Sequence, residues 1–302
     1  MILAFDIGGT EIKTSIFGDT FEKLLYTNKF KTETVKTEKI LNDFFKEIDH
    51  VNVNFKLTGI AISCPGIIDK GYVKKGGSVS SLDNIYFGKI LQQKYKIPVT
   101  IRNDAQCVLL AETQLGTLSQ ERDGVILTLG TGVGGGIMLN RELLFLRNSM
   151  SGEFSYMIHS YDASGNFVRV GQKLSATQMI KRVNNYYYEG DEADGYQAFE
   201  HILKKEEYAL KQFELFCRGL AGLIINIQSV LHVKKVVIGG GISANPIVTK
   251  NIQRQLQLIY SQDNMYNSFS QPEVVASRFL NYSGRVGAYL NFKKLINKGM
   301  QK

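Results

Sequence analysis

The sequence predicts an α/β protein, on two observations. Short apolar runs of strand character alternate with helical stretches along the chain. Three glycine-rich turns, Asp6-Ile7-Gly8-Gly9-Thr10, Gly130-Thr131-Gly132 and Gly239-Gly240-Gly241, each directly follow such a run. The 302 residues suggest two domains or one large one, and a chain of this size can bury a core without staples.

The elements follow in order. Ile2 to Phe5 form an apolar strand; Asp6 follows, Gly8-Gly9 turn the chain, and Ile12 to Phe17 return. Leu57 to Ser63 alternates little and predicts a strand buried on both faces, stopped by Cys64-Pro65-Gly66. Pro98 precedes another short strand, Val99 to Arg102, which ends at Asn103-Asp104. Residues 105–115 are helical in pattern, with Gly116 as a C-cap. The composition shifts over Gly116 to Gly124, the candidate domain junction; residues 125–129 then form a strand leading into GTGVGGG. Residues 185–195 have no periodicity and predict a surface loop. Leu210, Phe213, Cys217, Leu220, Ile224, Ile227 and Leu231 recur at spacings of three and four, the stripe of a long core helix. The stretch from Lys234 to Pro246 predicts a strand, a glycine turn and a helix start.

Composition narrows the function classes. With 44% apolar and 21% charged residues, 29 Gly and 4 Pro, the chain is not collagen-like, disordered or a disulfide scaffold. Its net charge of +8 permits a polyanionic ligand, although an ordinary basic surface gives the same count. Cys64, Cys107 and Cys217 are far apart and form no CxxC, which predicts reduced, partly buried thiols rather than disulfides or a zinc site. No window approaches 18 uninterrupted apolar residues, and Met1 leads straight into a strand, so a soluble cytoplasmic protein with no membrane partner is expected.

Glycines at strand ends let backbone N–H groups approach an anion closely, because no Cβ intervenes. Thr10 and Thr131 can add hydroxyl donors. No segment matches GxxxxGK[ST], and Gly134-Gly135-Gly136 lies between strand-like runs, which fits a dinucleotide turn poorly. Asp6 ends its strand beside the first turn, where a carboxylate can hold Mg²⁺ through water next to phosphates. Asn103-Asp104 stands at a strand end before a helix. It reads either as an N-cap or as a polar pair in which Asp104 takes a proton from a substrate hydroxyl. The four histidines form no ligand-spaced cluster.

Taken together, these motifs resemble the ROK family of sugar kinases and repressors, over most of the chain and in the family's order. DIGGT at 6–10 with Lys13 resembles the first phosphate motif, and CPG at 64–66 the sugar loop. NDA at 103–105 resembles the substrate and catalytic segment, GTGVGGG at 130–136 the second phosphate motif, and GGGIS at 239–243 the adenosine motif. The resemblance implies a two-domain actin-like ATPase (RNase H-like) fold with a nucleotide and sugar cleft between the domains. It also implies a homodimer. One domain is expected to span 1–117 plus about 281–302, the other 118–280.

The resemblance also assigns roles. Asp104 is implied as the general base on the sugar hydroxyl. Gly66, Asn103, Asp104, Glu153 and Tyr156 are the implied sugar contacts. The implied nucleotide contacts are Asp6, Gly8, Gly9, Thr10, Lys13, Gly130, Thr131, Gly132, Gly240 and Gly241, with Asp6 holding Mg²⁺ through water. ATP, Mg²⁺ and a small sugar are the implied ligands. With five residues ahead of Asp6, no N-terminal DNA-binding domain is expected, and hence no nucleic-acid partner.

One departure stands out. The family's ExGH motif appears as Glu153-Phe154-Ser155-Tyr156, with Ser for Gly and Tyr for His, and the cysteines of the zinc motif are missing from 157–175. No zinc is therefore expected. A GEFxYM segment without zinc cysteines resembles the β-glucoside kinase branch, which phosphorylates O6 of cellobiose and related glucosides. Glucokinase and N-acetylmannosamine kinase are the alternatives, with a sugar-responsive transcriptional regulator of the same family as a remote one. Tyr156 either stacks on a second sugar ring or fills the space that the zinc motif vacates.

Overall fold

The computed structural model describes residues 1–18, 21, 23–144, 151–188, 190–262, 266 and 270–299, with side chains described up to 296 in the last helix. It shows two compact α/β units. Met1–Gln114 and the segment from Tyr282 onward form unit 1; Leu115–Leu144 and Gly152–Asn281 form unit 2. Residues 300–302, the tail of the expected N-terminal domain, and Glu189 of the expected loop lie outside the described residues.

Unit 1 begins with β1 (Ile2–Ile7), β2 (Glu11–Phe17) and β3 (Leu24–Lys31), then α1 (Thr37–Asn54), β4 (Gly59–Cys64), β5 (Ile67–Asp69), β6 (Tyr72–Lys75), α2 (Phe87–Tyr95), β7 (Val99–Asn103) and α3 (Asp104–Gln114). Unit 2 runs through β8 (Gly124–Leu129), β9 (Val133–Leu139), β10 (Glu142–Leu143), β11 (Ile158–Tyr161), β12 (Phe167–Arg169), α4 (Val170–Lys173), α5 (Ala176–Tyr186), α6 (Gly195–Leu203), α7 (Glu207–Leu231), β13 (Lys235–Gly239), α8 (Pro246–Gln262) and β14 (Glu273–Ala276). The chain then re-enters unit 1 as α9 (Ser283–Gly299).

Each unit is built on a mixed five-stranded sheet, ordered β3-β2-β1-β4-β7 in unit 1 and β10-β9-β8-β13-β14 in unit 2. In both, the first two strands form an antiparallel hairpin and the first strand runs parallel to the two on its other side. Central β1 and β4 are buried almost throughout, the pattern of strands covered on both faces. On one face of the first sheet lie Phe5, Ile40, Phe44, Ile48 and Phe87 with α1 and α2. On the other lie α3 and α9, where Gly59 makes room for the Phe292 ring and Gly287 lets α9 approach the Cys107 carbonyl.

Several sequence expectations shift in register. The predicted helix after Asn103 ends at Gln114, and Gly116 does not adopt the left-handed φ of a C-cap. Helix α5 runs on to Tyr186, so the expected loop begins two residues later than drawn. Gly134-Gly135-Gly136 lies inside β9, where the absence of a side chain at Gly135 admits the Phe154 ring. Helix α7 is the predicted core helix: Phe213, Cys217, Leu220, Ile224 and Ile227 are all buried. It is long and apolar enough by composition to cross a bilayer, but half of its most apolar window is buried inside the unit. All three cysteines are free and buried.

Candidate active site

In unit 1 the parallel register aligns the carboxyl ends of three strands, the edge at which α/β sheets bind ligands. Asp6 pairs with Ser63, and Cys64 with Asn103. The Ser63 hydroxyl donates to Asp6 Oδ1 at 2.7 Å, and across the hairpin Asp6 pairs with Lys13. No hydrogen bond reaches Asp6 Oδ2 among the described residues, so one carboxylate oxygen stays available. That donor set fits a water-shelled Mg²⁺. Gly284, in the first turn of α9, lies so close behind this carboxylate that a Cβ there would stand 2.4 Å from Oδ1.

The structure divides the Asn103-Asp104 pair. Asn103 Oδ1 accepts from the Gln106 N–H at 3.1 Å and caps α3, while its Nδ2 donates to the Gly66 carbonyl at 2.9 Å. With 4% exposure, Asn103 is thus a staple between Gly66 and the helix start. Gly66 is required there: its φ is +90°, and a Cβ would meet the Lys75 carbonyl at 1.9 Å. Asp104 is the first helical residue, half-buried, and accepts from the Ala105 N–H at 2.8 Å. A carboxylate is electrostatically favoured at this helix N-terminus. Beneath both acids, burial first and then the charges of Asp104, Cys107 and Asp6 push the Cys64 thiol well above its ordinary value, so it stays protonated and unreactive.

The first two glycine turns are each closed by the N–H of their first glycine. In the first, the Gly8 N–H closes the turn onto Glu11 O at 3.0 Å; in the second, the Gly130 N–H closes onto Gly132 O at 3.1 Å. Among the described residues, no group accepts from the N–H of Gly9, Thr10, Thr131 or Gly132. Each turn therefore offers two successive open amides, an anion-binding concavity. The N–H groups of Gly8 and Gly130 are committed to turn closure. In the third turn, Gly240 has φ +93° and a Cβ would lie 2.1 Å from the Leu129 carbonyl, whereas nothing stands within 4 Å of a Cβ at Gly241. The first glycine is a packing requirement, and the second leaves open surface.

Farther along unit 2, Glu153 is half-buried, and burial holds its carboxyl above the ordinary value. Tyr156 is 60% exposed and so does not fill a void in the core. Where the family pattern would place zinc cysteines, β11 and β12 form a two-stranded hairpin. Its turn is closed by Asp162, which accepts from the N–H groups of Ser164 and Asn166, both at 2.9 Å. Among the described residues, no three His, Cys, Asp or Glu side chains gather as a metal site requires.

Set against known protein families, the chain matches the ROK family over residues 2–294. It belongs to the ROK family. A β-glucoside kinase from Listeria monocytogenes is 28% identical over 307 residues, covering 98% of this chain and 99% of the relative. A glucokinase from Halalkalibacterium halodurans is 28% identical over 277 residues, covering 83% of this chain and 84% of the relative. Among solved structures, a ROK family protein from Streptococcus pneumoniae in complex with sucrose superposes with a TM-score of 0.81 at 24% identity, covering 98% and 99% of the two chains. The two-sheet architecture is accordingly the actin-like ATPase fold shared by ROK proteins.

Several residues around these motifs escaped the sequence reading. Thr32 donates its hydroxyl to Gly8 O at 2.7 Å and its N–H to Thr10 O at 2.9 Å. Ser155 binds Val133, and both Ser175 Oγ and the Thr177 N–H reach Gly130 O at 3.3 Å. These partners lie tens of residues apart in sequence, so no local motif announces them. Ser175 alone left a trace, since Ser175-Ala176-Thr177-Gln178 has the spacing of a capping box.

Proposed function

We propose that this ROK protein is an ATP-dependent sugar kinase that phosphorylates O6 of a β-glucoside such as cellobiose. The observation that carries the kinase reading is the pair of open amides in each of two glycine turns, together with a strand-end aspartate at a helix start. The names of the relatives supply the substrate class. Tyr156 favours a glycoside: an exposed aromatic ring offers a stacking face to a second sugar, where the family's histidine would bind zinc.

Phosphoryl transfer asks a protein mainly for alignment and charge neutralisation. In this reading the amides of Gly9, Thr10, Thr131 and Gly132 bind phosphate oxygens, Lys13 adds positive charge, and Gly240 and Gly241 lie along the adenosine. Mg²⁺, when bound, offsets charge on the phosphates, and Asp6 would hold it through water. Asp104 accepts the proton of the sugar O6. That oxygen bonds to the γ-phosphorus as the bond from phosphorus to the β-phosphate oxygen breaks, leaving ADP. Glu153 and the remaining amide hydrogen of Asn103 orient the ring.

ADP release measured over cellobiose, salicin, glucose and N-acetylmannosamine tests the reading. Turnover is expected with the two glucosides, with the phosphate on O6 by phosphorus NMR. No ADP release with any of the four overturns it; release with glucose alone selects the glucokinase alternative that the Halalkalibacterium halodurans relative supports. The reading further holds the enzyme to be zinc-free, homodimeric and cytoplasmic. Elemental analysis finding one zinc per chain, or light scattering finding a monomer, counts against those parts.

A further inference from the structure

Ser155 stands where the family pattern has a glycine, between the two side chains assigned to the sugar, and its hydroxyl is committed elsewhere. It accepts the Val133 N–H at 2.8 Å and donates to the Val133 carbonyl at 3.1 Å. Val133 is fully buried and follows directly on Gly132. It pairs with Leu129 at the last rung of the β8–β9 ladder, so its peptide groups depend on this hydroxyl rather than on water. A Cβ at either Gly132 or Gly171 would lie 2.6 Å from Ser155 Oγ, so two glycines shape the slot that holds it. Next to it, the Phe154 ring is locked over Gly135. The segment from Glu153 to Tyr156 therefore cannot shift without pulling on the residue that ends the turn.

We propose that Ser155 is a positioning residue that couples sugar binding at Glu153 and Tyr156 to the open amides of Thr131 and Gly132. The inference rests on the kinase reading above. Ordering of the segment by a sugar steadies the turn and raises nucleotide affinity, and by linkage the nucleotide raises sugar affinity by the same factor. A glycine at this position has no hydroxyl and forms no such link.

The test is calorimetric titration of magnesium and a non-hydrolysable ATP analogue, with and without saturating acceptor. The acceptor is the one of the four assayed sugars that gives the fastest ADP release. Wild-type protein is expected to bind the analogue several-fold tighter with sugar present. In Ser155→Ala that ratio falls close to unity, while Ser155→Cys, which keeps the shape but bonds weakly, lies between. A second measurement uses wild-type protein alone: sugar without nucleotide slows amide exchange across residues 130–133. A wild-type ratio of one, a ratio unchanged in Ser155→Ala, or unchanged exchange overturns the coupling. If Ser155→Ala does not fold, the exchange result decides. Wild-type protein that neither binds the analogue nor releases ADP overturns the kinase reading and this inference together. An active kinase whose coupling ignores Ser155 overturns this inference alone.

Discussion

The hairpins β1–β2 and β8–β9 occupy the same place in two sheets of the same strand order, yet their turns are held by different means. In unit 1 the third strand, β3, pairs with β2 as far as Glu11 and Lys31, so Thr32, one residue on, reaches over the turn and fastens Gly8 and Thr10. In unit 2 the corresponding strand, β10, is two residues long and pairs only with Met138 and Leu139, at the far end of β9. The turn end is left to the segment 152–177, which supplies Ser155, Ser175 and Thr177. The hairpins also differ in charge, because Asp6 stands two residues before the first turn and Thr128 two residues before the second. Each turn thus keeps two open amides with unrelated anchors, and the strand-end acids Asp6 and Asp104 stand in unit 1.

If the acids of unit 1 carry the chemistry and the turns carry the phosphates, the variants separate by which kinetic constant they move. Asp104→Asn has the largest expected effect. It keeps the shape and an acceptor for the Ala105 N–H but removes the proton acceptor, so kcat falls by about 10²–10⁴ with the sugar KM little changed. Steady-state kinetics with a glucoside decide the matter, and near-normal turnover removes Asp104 from the role.

Next come paired substitutions within the second turn. A Cβ at Gly132 lands 2.6 Å from Ser155 Oγ, a short side chain that cannot swing away, whereas nothing lies within 4 Å of a Cβ at Gly130. Gly132→Ala is expected to lose about 1–3 kcal/mol by overpacking and to raise the KM for ATP. Gly130→Ala should stay within about 0.5 kcal/mol of wild type. Chemical denaturation of both variants is the check, and equal losses would show that Ser155 does not confine this turn.

Thr32→Val asks the matching question of the first turn with a smaller effect. The side chain is buried and keeps its shape, and the Thr32 N–H still holds Thr10 O. Only the bond to Gly8 O is lost, about 1 kcal/mol in net terms. A few-fold rise in the KM for ATP at unchanged kcat is expected. A fall in kcat instead would place the first turn with the acids rather than with the phosphates.

How much of this was legible in sequence follows from the same contrast. Strand ends and glycine turns are written locally: an apolar run, an Asp or Asn, then glycines that free the backbone. The α7 stripe is likewise local. Anchors are not, because Thr32, Ser155 and Ser175 are ordinary polar residues whose partners arrive only when the sheet closes. The Asn103-Asp104 pair stayed ambiguous for a physical reason, since capping and acid–base chemistry call for the same residue types. The structure resolves half of it by giving the cap to Asn103. The β11–β12 hairpin left no strong pattern either, with most of its residues exposed and its turn held by one exposed carboxylate.

The smallest expected effect concerns the acid of unit 2. Burial acts on Glu153 and holds its carboxyl above the ordinary value. A folded-state value above the unfolded one means that the folded protein holds this proton more tightly. The contribution to stability is therefore present at low pH and lost as pH rises through the folded value. If Glu153 holds the sugar, binding has the opposite slope, because ionisation replaces a neutral acceptor with a charged one that bonds sugar hydroxyls more strongly. The sugar KM should rise a few-fold as pH falls through that same value. Glu153→Gln should flatten both profiles, measured as thermal midpoint without ligand and as KM with a glucoside. A KM that keeps its pH dependence in Glu153→Gln would assign the titration to another group and separate Glu153 from the sugar.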